Sequence, residues 1–508
     1  MLHPLTFVDT PTEQTFLCPG FVFQLPPHLA PEERQHLVDN VRDAAERVVR
    51  KWKLLAGTPV WDKARNVWVI DIPEDLESVT WPLVGFSRTS RDEPYHVAAS
   101  LPSPLSPLST SASAVLPAPT LSLFRPGPLP NSFSSYTHHR LPFLQVHATL
   151  LADALCVSIT VPHGLLDAEG CGTILRGLTA EMHGRSDEWE APPLFSGSNP
   201  FGDALDKLAE DKDVAMQAKQ QGFTPVQPWD WAKMNPLRLI QAVVSVLWET
   251  WWWRAEKGYL FVSDAAVEAL ASQAKEEVLE QTGGDEYVST HDVFVAWLLK
   301  AIFSEEHSPL DALSPSAVYT TRDMLWAYTS DPTFRSYTHT AAIPFSLLPA
   351  PLPLDTLSST LVSALALAFR RQLLASRTLP SLQHFVRTAA GAMPFPQRNW
   401  PGPPNSFRPF LQLQHIHRWI VSSQTTMGNA SLSVPSPSPG SSTDLPLLAF
   451  YHMCHQPLNF DSVTMIQRRE GQDSGWFVDS VMRRSRWESL RREVTELERA
   501  AAAAQKDK

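Results

Sequence analysis

Glycine is scarce in this chain of 508 residues, where 21 glycines stand against 45 prolines. The connecting segments are therefore stiffened rather than flexible. Cysteine is scarcer still, with Cys18, Cys156, Cys171 and Cys454 the whole complement. None falls at CxxC spacing, which speaks against a thiolate metal site, and reduced thiols in a cytosolic protein are the simplest reading. Positive charge is in deficit: 42 Lys and Arg against 53 Asp and Glu give a net charge of −11. Bulk charge thus does not draw the chain to a phosphate backbone, and nucleic acid is not an expected partner. A local basic patch for a phosphorylated cofactor is compatible with that balance.

Long hydrophobic runs are missing too. The most apolar stretch, 237–253 (LRLIQAVVSVLWETWWW), carries Arg238, Gln241 and Glu249 and falls short of the roughly 20 apolar residues of a membrane span. Peripheral membrane contact through this stretch is an alternative to its packing on the protein, and packing is favoured. The first residues, MLHPLTFVDTPTEQTFL, have no basic region followed by an apolar one, so no secretory signal is expected and the location is read as cytoplasmic.

What is present is core material. Hydrophobic residues make up 43% of the chain, with 17 Trp and 24 Phe. At about 150 residues per domain the length allows two to four domains. Leu37, Val41, Ala44, Val48 and Leu55 recur at helical spacing behind Pro31 and ahead of Gly57, which predicts an N-terminal helix. VWDKARNVWVIDI then predicts a hairpin. Residues 88–142 include PSPLSPLSTSASAVLPAPT, read as a surface excursion without regular structure. FLQVHATLLADALCVSITVPHG predicts two strands turning near Asp153, and a helix follows Asp167. Residues 184–235 read as a polar crossover. A strand at GYLFVS, a helix capped by Ser263 or Asp264, and a helix capped by Ser289 or Thr290 open a second half. AVYTTRD and RWIVSSQTT predict strands, and helices are expected at 358–376 and 380–392. NASLSVPSPSPGSSTDLP is a second low-complexity insertion. The end reads as a strand and an exposed helix. Alternating strands and helices place the chain in the α/β class.

The segment with chemistry in it is VPHGLLDAEG. His163 ends a β-branched strand and Asp167 follows four residues on. Imidazole titrates near neutral pH, so a His facing a cleft suits removal of a proton from an attacking hydroxyl. Spacing alone is a weak signal, since a structural His at a strand end gives the same pattern. Gly164 and Gly170 leave room beside the ring. His138, His139 and His455 have no Cys or carboxylate partners at ligand spacing, so no metal is expected. Asn429 begins a glycosylation-type triplet that is silent without secretion.

Here the sequence resembles the BAHD acyltransferases of plants and fungi, in a divergent fungal-like branch, which share an HxxxD motif with carnitine and chloramphenicol acyltransferases. PLTFVDTPTEQTFLCPGFVFQLP, WKLLAGTPVWD, HGLLDAEG, STHDVFVAWLLKA, VYTTRD and GWFVDSVMRRSRWESL are similar to family segments and come in the family's order. Ala168 replaces the glycine of HxxxDG, and the late DFGWG motif is absent.

The resemblance implies an α/β fold of two chloramphenicol-acetyltransferase-like domains, residues 1–200 and 256–508, joined by a crossover at 201–255, with a central tunnel and segment exchange near 395–430. It implies a monomer that transfers an acyl group from acyl-CoA, as co-substrate, to a hydroxyl or amine of a small-molecule acceptor of the secondary-metabolite class. His163 would be the general base. Asp167 would hold the loop, pairing with Arg322 on the VYTTRD strand. A buried pair would cost about 3–5 kcal/mol to break, a surface pair under about 1 kcal/mol. Gln424 aligns where the family places a Trp near the reacting carbonyl, and its amide is a candidate oxyanion donor. Ser422 and Ser423 are candidates for contact with the bound cofactor. Two other readings stay open. One is a condensation-domain-like enzyme, against which Pro162 speaks because that class doubles the His. The other is a non-catalytic binder on the same scaffold.

Overall fold

A computed structural model describes residues 1–6, 8–9, 15–64, 67–108, 113–127, 130, 132–223, 255–303, 311–392, 415–423, 432–437, 443–453, 462–469 and 474–506. It is an α/β structure, as expected, built on two mixed sheets and a small antiparallel one. The small sheet joins β1 (Leu2–Pro4), β5 (Val67–Asp71) and β4 (Thr58–Asp62). The first large sheet runs β15 (Leu447–His452), β3 (Pro19–Gln24), β9 (Ala154–Pro162), β8 (Gln145–Leu150), β6 (Gly85–Ser90), with β2 (Phe16–Leu17) also on β9. The second runs β12 (Ala342–Ser346), β11 (Asp311–Thr320), β14 (His415–Ser423), β16 (Ser462–Arg469), β17 (Gly475–Met482), β10 (Glu256–Ser263), β7 (Ala114–Leu116), with β13 (Leu352–Pro353) on β11.

The strand that leads to the HxxxD segment is the central, fully buried element of the first sheet. Every residue of β9 is buried, Ser158 and Thr160 included, as a largely apolar strand covered on both faces requires. It lies between β3 and β8 with antiparallel pairing on both sides. The helix Pro31–Lys51 buries Leu37, Val38, Val41, Ala44, Ala45, Val48 and Val49 along one stripe. Pro31 starts it, Glu32 and Glu33 sit in its first turn, and Arg50 and Lys51 in its last, each charge matching the helix dipole. It is tied to the helix Ala168–Met182 by Arg47 Nε, 2.9 Å from Glu181 Oε2. In the second half, Ser289 and Asp292 cap the helix Thr290–Phe303 reciprocally: Ser289 N donates to Asp292 Oδ2 (2.8 Å) and Asp292 N to Ser289 Oγ (3.2 Å). That helix is buried along almost its whole length. Ser263, one of the two expected caps, accepts from Ala266 N.

Several expectations are corrected. Within the Pro/Ser-rich string, Ala114–Leu116 forms β7 and pairs with β10. Nearby Leu123, Phe124, Phe133 and Tyr136 are buried, because a stiff excursion that carries large apolar side chains gains more from packing than from solvation. The polar crossover contains two helices, Pro200–Glu210 and Lys212–Gln220, whose Phe201, Leu205, Leu208 and Val214 enter the second core. In the second insertion Leu432, Val434 and Leu445 are buried in the first core. The helix Arg484–Lys506 is not simply exposed: Trp487, Leu490 and Val494 are buried. β15 belongs to the first sheet although its sequence neighbours β14 and β16 belong to the second, so the chain crosses between sheets twice here. Residues 237–253 and Asn429 lie outside the described residues. Among the described residues no helix is long and apolar enough to cross a membrane.

Candidate active site

His163 follows directly on β9. Its backbone N–H donates to Thr15 O at 2.8 Å, which prolongs the β2–β9 pairing by one residue. The chain then turns sharply, with Leu165 N and Leu166 N both directed at Pro162 O (3.1 and 3.3 Å). Asp167 ends the turn as the N-cap of Ala168–Met182. Its Oδ1 accepts from Glu169 N (2.9 Å) and Gly170 N (3.3 Å), which satisfies two of the orphan donors of a helix start.

The His163 ring is half-buried. Its Nδ1 lies 3.1 Å from Leu166 O. A carbonyl oxygen only accepts, so Nδ1 carries the proton and the neutral ring presents a lone pair at Nε2. Among the described residues Nε2 makes no hydrogen bond. The turn therefore fixes both the orientation and the tautomer of the ring and leaves its second nitrogen without a partner among the described residues.

Asp167 makes no hydrogen bond to that ring. Its Oδ2 faces Arg322 Nη2 at 2.5 Å, and both side chains are 8% exposed. Arg322 stands at the start of the helix Arg322–Thr329 rather than on a strand, because β11 ends at Thr320. From there the guanidinium also donates to Tyr337 O (2.6 Å), His339 O (3.0 Å) and Thr320 Oγ1 (3.0 Å). Asp167 N–H in turn donates to Thr338 O at 3.0 Å. The strap 337–340 thus clasps the turn from the other half of the chain. Gly170 permits this closeness, since a Cβ there would lie 2.6 Å from Thr338 O.

Ser422 and Ser423 close β14, opposite Met465 and Ile466 of β16. Gln424 lies outside the described residues, as does His455. His138 and His139 end a short helix, their rings 4.7 Å apart. Among the described residues no group of three His, Cys, Asp or Glu could hold a metal ion.

Several polar residues around the turn escaped the sequence reading. His452, at the end of β15, is buried and its pKa is lowered to about 3, chiefly by burial, then by Lys257 and by His163. Lys257 Nζ lies 3.2 Å from Asp479 Oδ2 and 3.3 Å from His452 O. Burial pushes Asp479 up to about 6 against the pull of Lys257. His3, Asp9, Thr338 and His339 were also missed. Nothing in the local pattern marks them, for each is held by at least one partner more than 150 residues away. The described cysteines are buried, and burial raises all three thiols. Such thiols are poor nucleophiles.

No family model matches the chain. The O-acyltransferase pboC of Aspergillus ustus is 28% identical over 267 residues, 52% of this chain and 51% of that protein. The chain thus spans about half the length of that relative. Among solved structures, TRI101 of F. sporotrichioides complexed with coenzyme A and T-2 covers 96% of both chains at 13% identity, with a TM-score of 0.58. The first condensation domain of the calcium-dependent antibiotic synthetase covers 99% of this chain and 97% of its own at 11% identity, with a TM-score of 0.54. The resemblance to fungal acyltransferases read from the sequence holds, and the fold is the one these structures share.

Proposed function

We propose that this chain transfers an acyl group from acyl-CoA to a hydroxyl of a small-molecule acceptor, with His163 as general base. The observation that carries the proposal is the fixed His163 ring, with Nδ1–H committed to Leu166 O and Nε2 unpaired among the described residues. A hydroxyl placed against Nε2 attacks the thioester carbonyl as its proton passes to the imidazole. A C–O bond forms and the carbonyl π pair moves to oxygen. When the tetrahedral intermediate collapses, the C–S bond breaks, and the imidazolium returns its proton to the departing thiolate. The products are the ester and free CoA. No acyl-enzyme is needed. Asp167 is the support of the turn rather than a proton relay. The oxyanion is given to a donor near Gln424, with Ser422 and Ser423 beside the cofactor.

The names of similar proteins support the substrate class. One relative is called an O-acyltransferase, and a structural neighbour is complexed with coenzyme A and T-2. We assign the acceptor to hydroxylated secondary metabolites. The working halves are 1–200 and 256–508, linked by 201–255, with the reaction in a tunnel between them.

Thiol release from acetyl-CoA in the presence of a panel of hydroxylated terpenoids and polyketides tests this. The expected result is acceptor-dependent free CoA with an ester product of matching mass. Acyl transfer only from a carrier-protein thioester would favour the condensation-type reading, which the fold comparison keeps in view. No transfer from either donor would leave a binding protein.

A further inference from the structure

His3 and His339, 336 residues apart in the chain, meet in the interior with their Nε2 atoms 2.8 Å apart. Both are buried. His339 Nδ1 lies 2.5 Å from Leu165 O, in the middle of the turn between His163 and Asp167. Phe195 N–H donates to His3 Nδ1 at 3.0 Å. These contacts fix every proton. Leu165 O can only accept, so His339 carries its proton at Nδ1 and accepts at Nε2. His3 then donates from Nε2 and accepts from Phe195 at Nδ1. The series closes with both rings neutral. A proton added to His339 would set two N–H groups against each other, and one added to His3 would displace Phe195 N–H.

The rest of the strap is held just as firmly. Asp9 Oδ1 accepts from Thr340 N at 2.8 Å, and its Oδ2 accepts from Thr6 N and Thr6 Oγ1 at 2.8 Å each. Arg322 holds the Tyr337 and His339 carbonyls. The Tyr337 ring stands edge-on to His339 at 5.2 Å, and Phe195 stacks on His3 at 5.2 Å. His339 therefore has little freedom of its own, and the Leu165 carbonyl is tied to a rigid support. One residue further on, the Leu166 carbonyl orients His163.

We propose that His339, kept in register by His3, is a positioning residue that sets the His163 ring through the Leu165 carbonyl. The inference rests on the reading of His163 as the base. Displacing a catalytic group by about 1 Å can cost about 10²-fold in rate, so the tether should appear in kcat and not in acyl-CoA binding.

The amide nitrogen of Asn falls near the place of Nδ1, where it can donate, and the amide oxygen of Gln can reach the place of Nε2, where it can accept. His339→Asn keeps the bond to Leu165 and loses His3, whereas His339→Gln does the reverse. The assay is thiol release from acetyl-CoA, paired with amide hydrogen exchange at Leu165, Leu166 and Asp167. H339N is expected to keep kcat within about threefold, and H339Q to lose about 10–10²-fold with KM for acetyl-CoA unchanged. Exchange in the turn should quicken in H339Q and not in H339N. Exchange is read without turnover, so it tests the tether even if the proposed reaction fails. Equal behaviour of the two variants in rate and exchange, or a loss confined to KM, would overturn the proposal. If H339Q does not fold, His3→Gln and His3→Leu carry the same test. The former should keep the register of His339 and the latter lose it; indistinguishable rates and exchange in that pair would overturn the proposal.

Discussion

Replacing Arg322 by Met would remove four hydrogen bonds at once, to Asp167 Oδ2, Tyr337 O, His339 O and Thr320 Oγ1. Asp167 would keep its two bonds to the helix start, but Oδ2 would lose its charged partner in a side chain only 8% exposed. An unpaired buried charge costs about 3–5 kcal/mol, and R322M is expected to lose that much stability. Asp167→Asn keeps the capping oxygen and removes the charge, so it should cost less. In the double variant neither charge is stranded, and a coupling energy of about 2–3 kcal/mol is expected, within the range for contacting pairs. Urea denaturation followed by Trp fluorescence, with the slope compared among all four proteins, reads these differences. If R322M stays within about 1 kcal/mol of the parent, or the coupling is near zero, the pair behaves as an exposed one and the account of the turn is wrong.

Gly170→Ala would set a Cβ 2.6 Å from the Thr338 carbonyl. Because that contact is with backbone, the strap must shift, and both the melting temperature and acetyl-CoA turnover should fall; an unchanged protein would show that the strap yields freely. The pH dependence follows from His3, lowered to about 2 by burial and then by His339, and from His339, lowered chiefly by burial. Below about 6.5 the unfolded chain takes up protons that these folded rings refuse, so their contribution is full above that pH and declines as pH falls. The slope is up to about 1.4 kcal/mol per pH unit for each ring. His3→Leu should flatten the fall in urea stability between pH 6.5 and 5 relative to the parent; an unaltered slope would contradict this. Buried Cys18, Cys156 and Cys171 should resist alkylation in the native protein and react on unfolding, and mass mapping of early native labelling to any of the three would refute their burial.

What the sequence disclosed and what it hid divide along the range of the interactions. The helix from Pro31, the β8–β9 hairpin and the place of His163 at a strand end are local. Their periodicity and capping residues are written within a few turns of chain. Asp167 as a helix cap is equally local. The strap 337–340 is not, because YTHT has neither period nor motif and acquires meaning only when Arg322, Asp9 and His3 converge on it. The same holds for β7 and for Leu432, Val434 and Leu445. Proline and serine around them correctly signal irregular backbone, but burial of the few apolar residues among them is decided by what lies opposite. Arg322 was found by resemblance, and its position one residue into a helix gives its fork a reach to two carbonyls that a strand position would not explain. Gln424 lies outside the described residues and stays a proposal.

The central claim is that a neutral His163 ring, steered by Leu166 O, removes the acceptor's proton. The most direct measurement is the initial rate of acceptor-dependent CoA release for His163→Ala beside the parent, with the thermal transition of both recorded. A loss of about 10²–10⁴-fold in kcat with an unchanged transition is predicted. A variant that transfers acyl groups within tenfold of the parent would contradict it.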